Sequence, residues 1–149
     1  GEGMNEDDAK FKAKAKVLTD QFSAVQILPA KDGQPALMAN GQLCLGENIG
    51  DHGGLSIAYT AMRNAIAGND PGLIDGFTPD QRFYLSYGAI WAQNITDQEK
   101  ARRTRLDVHS LAVNRVNVSI RNFQSFFDAF GIKEGDPMWR PESERVHIW

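Results

Sequence analysis

The fold turns on "LGENIGDHGGLSIAY", Leu45 to Tyr59. Glycine at 46, 50, 53 and 54 weakens a helix, yet Leu55, Ala58 and Met62 recur at helical spacing and predict one from near Glu47 to about Ala67. At 100° per residue, Glu47, Asp51, Gly54, Leu55, Ala58, Met62 and Ala65 share one sector; His52, Ser56, Thr60, Arg63 and Asn64 lie on the other side. Two carboxylates one turn apart therefore point where the core is expected. Like charges at that spacing cost about 0.2–0.5 kcal/mol on a solvated helix and more where water is excluded. A positive partner is expected: a protein cation, a metal, or a metal-bound histidine. The plain alternative is a position at the core's edge, with both carboxylates in solvent beside a helix N-terminus that favours them. The four glycines imply close backbone approach to a neighbour.

Working outward, the segment "PAKDGQPALMANGQLCLGE" reads as a loop or short hairpin at about 29–45, with "ANGQ" as its turn. Before it, a helix is expected to start after Asn5, carry Glu6, Asp7 and Asp8 in its first turn, and run through Phe11, Val17, Leu18 and Phe22. After the second helix "AGNDPG" is a stop. The capping boxes "TPDQ" (Thr78 to Gln81) and "TDQE" (Thr96 to Glu99) open helices at about 79–93 and 97–105. "NFQSFFDAFGI" reads as a short aromatic-rich helix closed by Gly131, and "DPMWRPESERVHIW" as extended coil pinned by its tryptophans.

The chain has 149 residues, 42% hydrophobic and 23% charged, which fits one soluble folded unit. Its formal net charge of -3 gives no electrostatic case for nucleic acid or an anionic membrane. The basic run "KFKAKAK" is expected to be a solvated helix face. Cys44 is the single cysteine, so an internal disulfide and a cysteine-based zinc site are excluded. No window approaches the ~20 apolar residues of a membrane span, so membrane contact finds no support in this chain. The acidic N-terminus does not read as a signal peptide. The chain opens on Gly1 rather than Met, as expected of a segment of a longer polypeptide.

A second constellation, "DVHSLAVNR", brings Asp107, His109 and Arg115 within nine residues. A carboxylate two residues before a histidine can hold one ring nitrogen and leave the other to donate to a developing negative charge. Arg115 offers a planar fork for a carbonyl or carboxylate. The plain reading is a helix start capped by Ser110, with a satisfied histidine and a surface arginine.

Together, "NGQLCLGENIGDHGGL", "DGFTPDQRFYLSYGAIWA", "DVHSLAVNRVN" and "FFDAFGIKEGDPMW", followed by Trp149, resemble the C-terminal part of the neprilysin-like zinc metalloendopeptidases, the family of the endothelin-converting enzymes. The resemblance runs from about residue 5 to 149 and implies the helical C-terminal part of a gluzincin-type catalytic domain. It implies that Glu47 is the third protein ligand of a catalytic zinc and that Asp51 orients a zinc-bound histidine. It further implies that His109, supported by Asp107, donates to the oxyanion, and that Arg115 binds a substrate backbone carbonyl. Ile90 and Trp91 match residues lining the pocket for the hydrophobic side chain after the scissile bond. The implied reaction is attack of a zinc-activated water on a peptide bond, in an extracytoplasmic setting.

The family's other two zinc ligands and general base come from an H-E-x-x-H helix, and the only histidines here, His52, His109 and His147, are not four apart. The resemblance therefore predicts that motif upstream of Gly1, and a partial domain over 1–149 that partners the missing N-terminal part, is inactive alone and carries no zinc at Glu47 alone. Leu111 stands where the family usually has proline and Gly50 where alanine is common. Ala92 and Val146 stand where vertebrate members have cysteine, which favours a bacterial origin. The competing expectation is a non-catalytic helical module or degenerate remnant that binds hydrophobic peptides through Trp91 and Arg115 without zinc. A self-contained metal site on Glu47, Asp51 and a histidine is disfavoured because His52 points about 100° away from the carboxylates on an ideal helix.

Overall fold

The computed structural model describes residues 2–148. The order is α1 (Glu2–Ser23), β1 (Gln26–Leu28), β2 (Leu37–Met38), α2 (Leu45–Ile66), α3 (Pro79–Ile90), α4 (Asp97–Leu106), α5 (Ala112–Asn117) and α6 (Gln124–Phe130), with 3-10 turns at Ser119–Asn122 and Glu142–Glu144. The fold is mainly α with one antiparallel hairpin.

Local chemistry explains most of the boundaries. Thr78 and Gln81 form the full reciprocal box at the start of α3, each side chain accepting from the other's backbone N–H. At α4 only half of the box forms: Thr96 accepts from the Glu99 N–H, while the Glu99 carboxylate turns to Arg102 and Arg103. Gly131 closes α6 in the left-handed region at φ 63°, as expected. The lysines of the basic run face solvent, with Lys10 paired to Glu6 and Lys12 to Asp8.

The hairpin lies in the expected segment but turns elsewhere. Asp32 (φ 51°) and Gly33 (φ 77°) are both left-handed, and the backbones of Lys31 and Gln34 bond each other across them; Asp-Gly therefore supplies the turn. "ANGQ" has another task. Gly41 lies against α1 so closely that a Cβ there would sit 2.1 Å from the Thr19 carbonyl oxygen, and Asn40 caps the Leu43 N–H. Helix α1 also begins earlier than the acidic cluster implied, at Glu2.

Two apolar clusters make the core. One joins Leu55 of α2, Tyr84 of α3, Ile120, and Phe126 and Phe127 of α6; the other joins Leu18 and Phe22 of α1 to Val118 and Val146. The C-terminal tail is held by Val146, buried with its N–H on Asn122 Oδ1, and by Arg121, which donates to the carbonyls of Met138 and Trp139. Trp139, half-buried, accepts one of these bonds through its backbone carbonyl; Trp149 lies outside the described residues.

The orientation of α2 departs most from expectation. Of the stripe Leu55 is buried as expected, but the other buried residues, Asn48, His52 and Gly53, lie one step round the helix. Gly54, Ala58 and Met62 of the stripe instead line an open apolar groove of about 540 Å³ shared with Pro79, Phe83 and Ile90 of α3. Nor do Gly46, Gly50 and Gly54 meet a neighbour: among the described residues nothing lies within 4 Å of their Cβ positions. The polar identities of Asn48 and His52 had masked the core-facing side.

His52 is 3% exposed, packs against Phe123 with ring centres 4.9 Å apart and planes tilted by 31°, and has no partner for Nδ1 among the described residues. Burial first, and nearby His147 second, push its pKa down to about 4 from an ordinary 6.5. The folded-state value lies below the unfolded one, so protonation favours unfolding. Stability should hold above pH 6.5 and decline toward pH 4, by about 3 kcal/mol at most. Urea midpoints measured against pH check this, and His52→Gln should flatten the profile in that window; an unchanged slope would refute the assignment.

Candidate active site

The first turn of α2 carries Glu47 and the second Asp51, and the two meet different environments. Glu47 is about half exposed, at 48%, beside a helix N-terminus that favours a carboxylate. Asp51 is 14% exposed and bound by Arg115 of α5, at 16%, through two 2.7 Å hydrogen bonds from Nε and Nη2. The positive partner that helix geometry demanded is therefore present on this chain. Asp51 has a guanidinium, and Glu47 has His109 alongside.

Arg115 is held on every side. Its guanidinium carbon lies 3.9 Å from the centre of the Trp91 ring, and Tyr87 donates to its backbone carbonyl. Asp51 holds the guanidinium pKa above its ordinary value, while burial pushes the Tyr87 phenol up to about 12 with help from the Asp51 charge. Two of the five N–H groups serve Asp51, leaving the rest for a further acceptor. Arg115 is thus neither a surface arginine nor an unengaged fork.

His109 stands in the link between α4 and α5, beside this pair. Asp107 accepts from both its backbone N–H (3.0 Å) and its ring Nδ1 (2.8 Å), which sets the ring as the sequence spacing implied. Those bonds hold the Asp107 carboxyl below its ordinary pKa. The other ring nitrogen, Nε2, lies 3.4 Å from the Glu47 carboxylate. Ser110 is not the helix cap: Leu111 takes that position, and the Ser110 hydroxyl donates to Asn48 Oδ1 at 2.8 Å.

Glu47, Asp51, Asp107, His109, Arg115 and Trp91 are thus gathered at one end of α2. A cavity of about 270 Å³ runs between Trp91, Arg103, Asp107, His109 and Arg115. Ile90 stands apart from it, 73% exposed on the apolar groove. Sequence reading overlooked Asn48 and Tyr87, and gave Ser110 only a capping role. The asparagine directly after Glu47 and the serine directly after His109 were the available signals, each adjacent to a residue already singled out.

The fold carries this cluster on a scaffold seen in zinc metalloproteases. It matches Mycobacterium tuberculosis zinc metalloprotease Zmp1 in its open state with a TM-score of 0.87 and 35% identity, over 95% of this chain and 22% of that one. The sequence profile of peptidase family M13 matches residues 2–146, and the chain belongs to that family, the neprilysin family. It is 30% identical to the neutral endopeptidase of Lactococcus lactis over 98% of this chain and 21% of that protein. To human endothelin-converting enzyme 1 it is 31% identical over 93% of this chain and 17% of that protein. The chain spans about a fifth of the length of these relatives.

Breaking the Asp51–Arg115 pair should leave a largely buried carboxylate unpaired. Arg115→Met should cost about 2–3 kcal/mol, less than a fully buried pair because some water reaches it, and Arg115→Lys should recover part of that by keeping charge without the fork. Urea unfolding followed by tryptophan fluorescence measures both. In an Asp51→Leu background the Arg115→Met loss should shrink; an equal loss in both backgrounds would rule out the coupling.

Proposed function

We propose that this chain is the C-terminal portion of the catalytic domain of a zinc-dependent endopeptidase. The observation that carries the reading is the juxtaposition of Glu47 and His109. A half-exposed carboxylate lies 3.4 Å from a histidine already oriented by Asp107, beside a guanidinium locked onto Asp51. Family membership supports it.

The residues present fit one corner of a zinc site. A catalytic zinc takes three protein ligands and an open position, and among the described residues no group of three or more His, Cys, Asp or Glu is placed to hold a metal. Glu47 suits a single ligand, since its neighbour Asp51 is committed to Arg115. The other ligands and the general base are assigned to an H-E-x-x-H segment outside this chain, and the chain by itself is assigned no activity. The open groove along α2 and α3 is the surface on which we place the rest of the domain.

Zinc supplies a nucleophilic water and polarises the carbonyl when bound. The chain's own part is to position and to share charge. His109, its Nδ1 held by Asp107, presents Nε2 to the oxygen on which negative charge develops. Arg115 offers its uncommitted N–H groups to a peptide carbonyl, while Asp51 and the Trp91 face prevent its swinging away. Each Asp51 oxygen keeps a lone pair beyond its bond to Arg115, with which Asp51 would also orient a zinc-bound histidine of the rest of the domain. Trp91 would bound the pocket for a hydrophobic residue after the scissile bond, and Ile90, on the groove side, would complete it together with the rest of the domain.

In the full-length peptidase carrying this segment, Glu47→Ala should drop zinc content from about one ion per chain toward zero. His109→Ala should keep the zinc and lower kcat by about 10²–10³ with KM little changed. Metal analysis beside peptide-hydrolysis kinetics reads both. Full zinc occupancy in Glu47→Ala would remove the ligand assignment, and zinc-free binding of hydrophobic peptides by the isolated chain would favour the binding module instead.

A further inference from the structure

The link that carries His109 has no secondary structure of its own between the end of α4 at Leu106 and the start of α5 at Ala112. Something else must fix it. Both ends are tied to the adjoining helices: the Asp107 N–H donates to the Arg103 carbonyl, and the Leu111 carbonyl accepts from Asn114 and Arg115. Between those ends, besides the 3.4 Å approach of His109 Nε2 to Glu47, two side-chain hydrogen bonds fasten the link to the start of α2. Ser110 Oγ donates to Asn48 Oδ1 at 2.8 Å, and Cys44 Sγ donates to the Asp107 carbonyl at 3.6 Å.

We propose that Asn48, acting through Ser110, is a positioning residue for His109. It fixes the link to the same helical turn that presents Glu47, so that the oxyanion donor and the metal ligand keep one register. The inference rests on the peptidase reading of Glu47 and His109 given above.

Helix geometry makes the arrangement possible. Neighbouring residues on a helix point 100° apart, so Glu47 is half exposed beside His109 while Asn48 faces inward and is 2% exposed. One turn therefore serves the metal corner and the anchor at once. The bond to Ser110 is shielded from water by that burial. A packing role alone does not account for an amide here: Asn48 Nδ2 has no partner among the described residues, and an unpaired buried donor carries a real penalty that an apolar side chain would avoid. What the amide offers in return is Oδ1, the acceptor that holds the hydroxyl next to His109. Asp107 sets the rotation of the imidazole about its own link, and Asn48 sets where that link sits relative to α2.

Removing a hydrogen bond that orients an active-site group lowers activity by about 10–100-fold. The test uses the full-length, zinc-loaded peptidase and starts from the loop side, because Ser110 is only partly buried and its alanine variant should fold. Ser110→Ala should lower kcat about tenfold at unchanged zinc content, with KM within about twofold. Ser110→Thr, which keeps a hydroxyl, should restore most of the loss. In a His109→Ala background the same Ser110→Ala change should have no further effect on kcat. Asn48→Ala should reproduce the kcat loss and also lower the melting temperature. An unchanged kcat in Ser110→Ala overturns the inference, as does an equal loss with or without His109, which marks a merely structural bond. A large loss in His109→Ala with none in Ser110→Ala sinks this inference and leaves the peptidase reading standing. No loss in His109→Ala overturns both.

Discussion

The Asp51–Arg115 pair is the interaction on which the site depends. It joins α2 to α5 across 64 residues of chain with two 2.7 Å hydrogen bonds, and the Trp91 ring lies 3.9 Å from the guanidinium. An exposed pair of this kind would contribute little. Here both side chains are mostly removed from water, so neither can be left alone without a large penalty. The pair therefore fixes three elements together: α2 through Asp51, α5 through Arg115, and the end of α3 through Trp91. It also resolves the repulsion between two carboxylates one turn apart. Asp51 is neutralised within the chain, which leaves Glu47 as the carboxylate still able to take a cation.

Helix α2 is divided among three duties by rotation about its axis. Asn48, His52 and Leu55 face the interior, Glu47 and Asp51 face the site, and Gly54, Ala58 and Met62 line the groove. The groove face is the one the fold leaves open. This accounts for the small residues along the stripe: glycine at 54 and alanine at 58 keep the groove shallow and open where a larger side chain would fill it. The helix-weakening effect of four glycines is offset by tertiary contacts, since Leu55 belongs to the aromatic core and Ile49 packs against the Leu18 cluster.

What could be read in advance followed from local chemistry. The box at Thr78, the left-handed stop at Gly131, and the short-range bond from Asp107 to His109 all depend on residues a few positions apart, and all appear as expected. Choices between equivalent local signals went the other way. Asp32-Gly33 and Asn40-Gly41 are both turn signals, and only the closeness of α1 to Gly41 separates them. The buried side of α2 was misplaced for a related reason. Asn48 and His52 look like surface residues until the link at 107–111 and Phe123 are brought against them. The Asp51–Arg115 pair was legible as a need for positive charge, while its supplier depended on how α5 folds back.

Two kinds of buried polar group share this core, and the difference has a physical meaning. Asn122, fully buried, spends its amide completely: Nδ2 donates to Gln21, and Oδ1 accepts from the Val146 N–H. A network satisfied in this way specifies one packing of α1 and the tail. Asn48 and His52 are buried with one polar atom each unpartnered among the described residues. Such groups weaken a fold rather than specify it. They lie one turn apart on the inner side of the helical segment whose outer side holds Glu47 and Asp51. The satisfied network thus lies under the tail, and the unpartnered atoms of Asn48 and His52 lie directly beneath the site, where Asn48 gives up part of its hydrogen bonding to hold the link that carries His109.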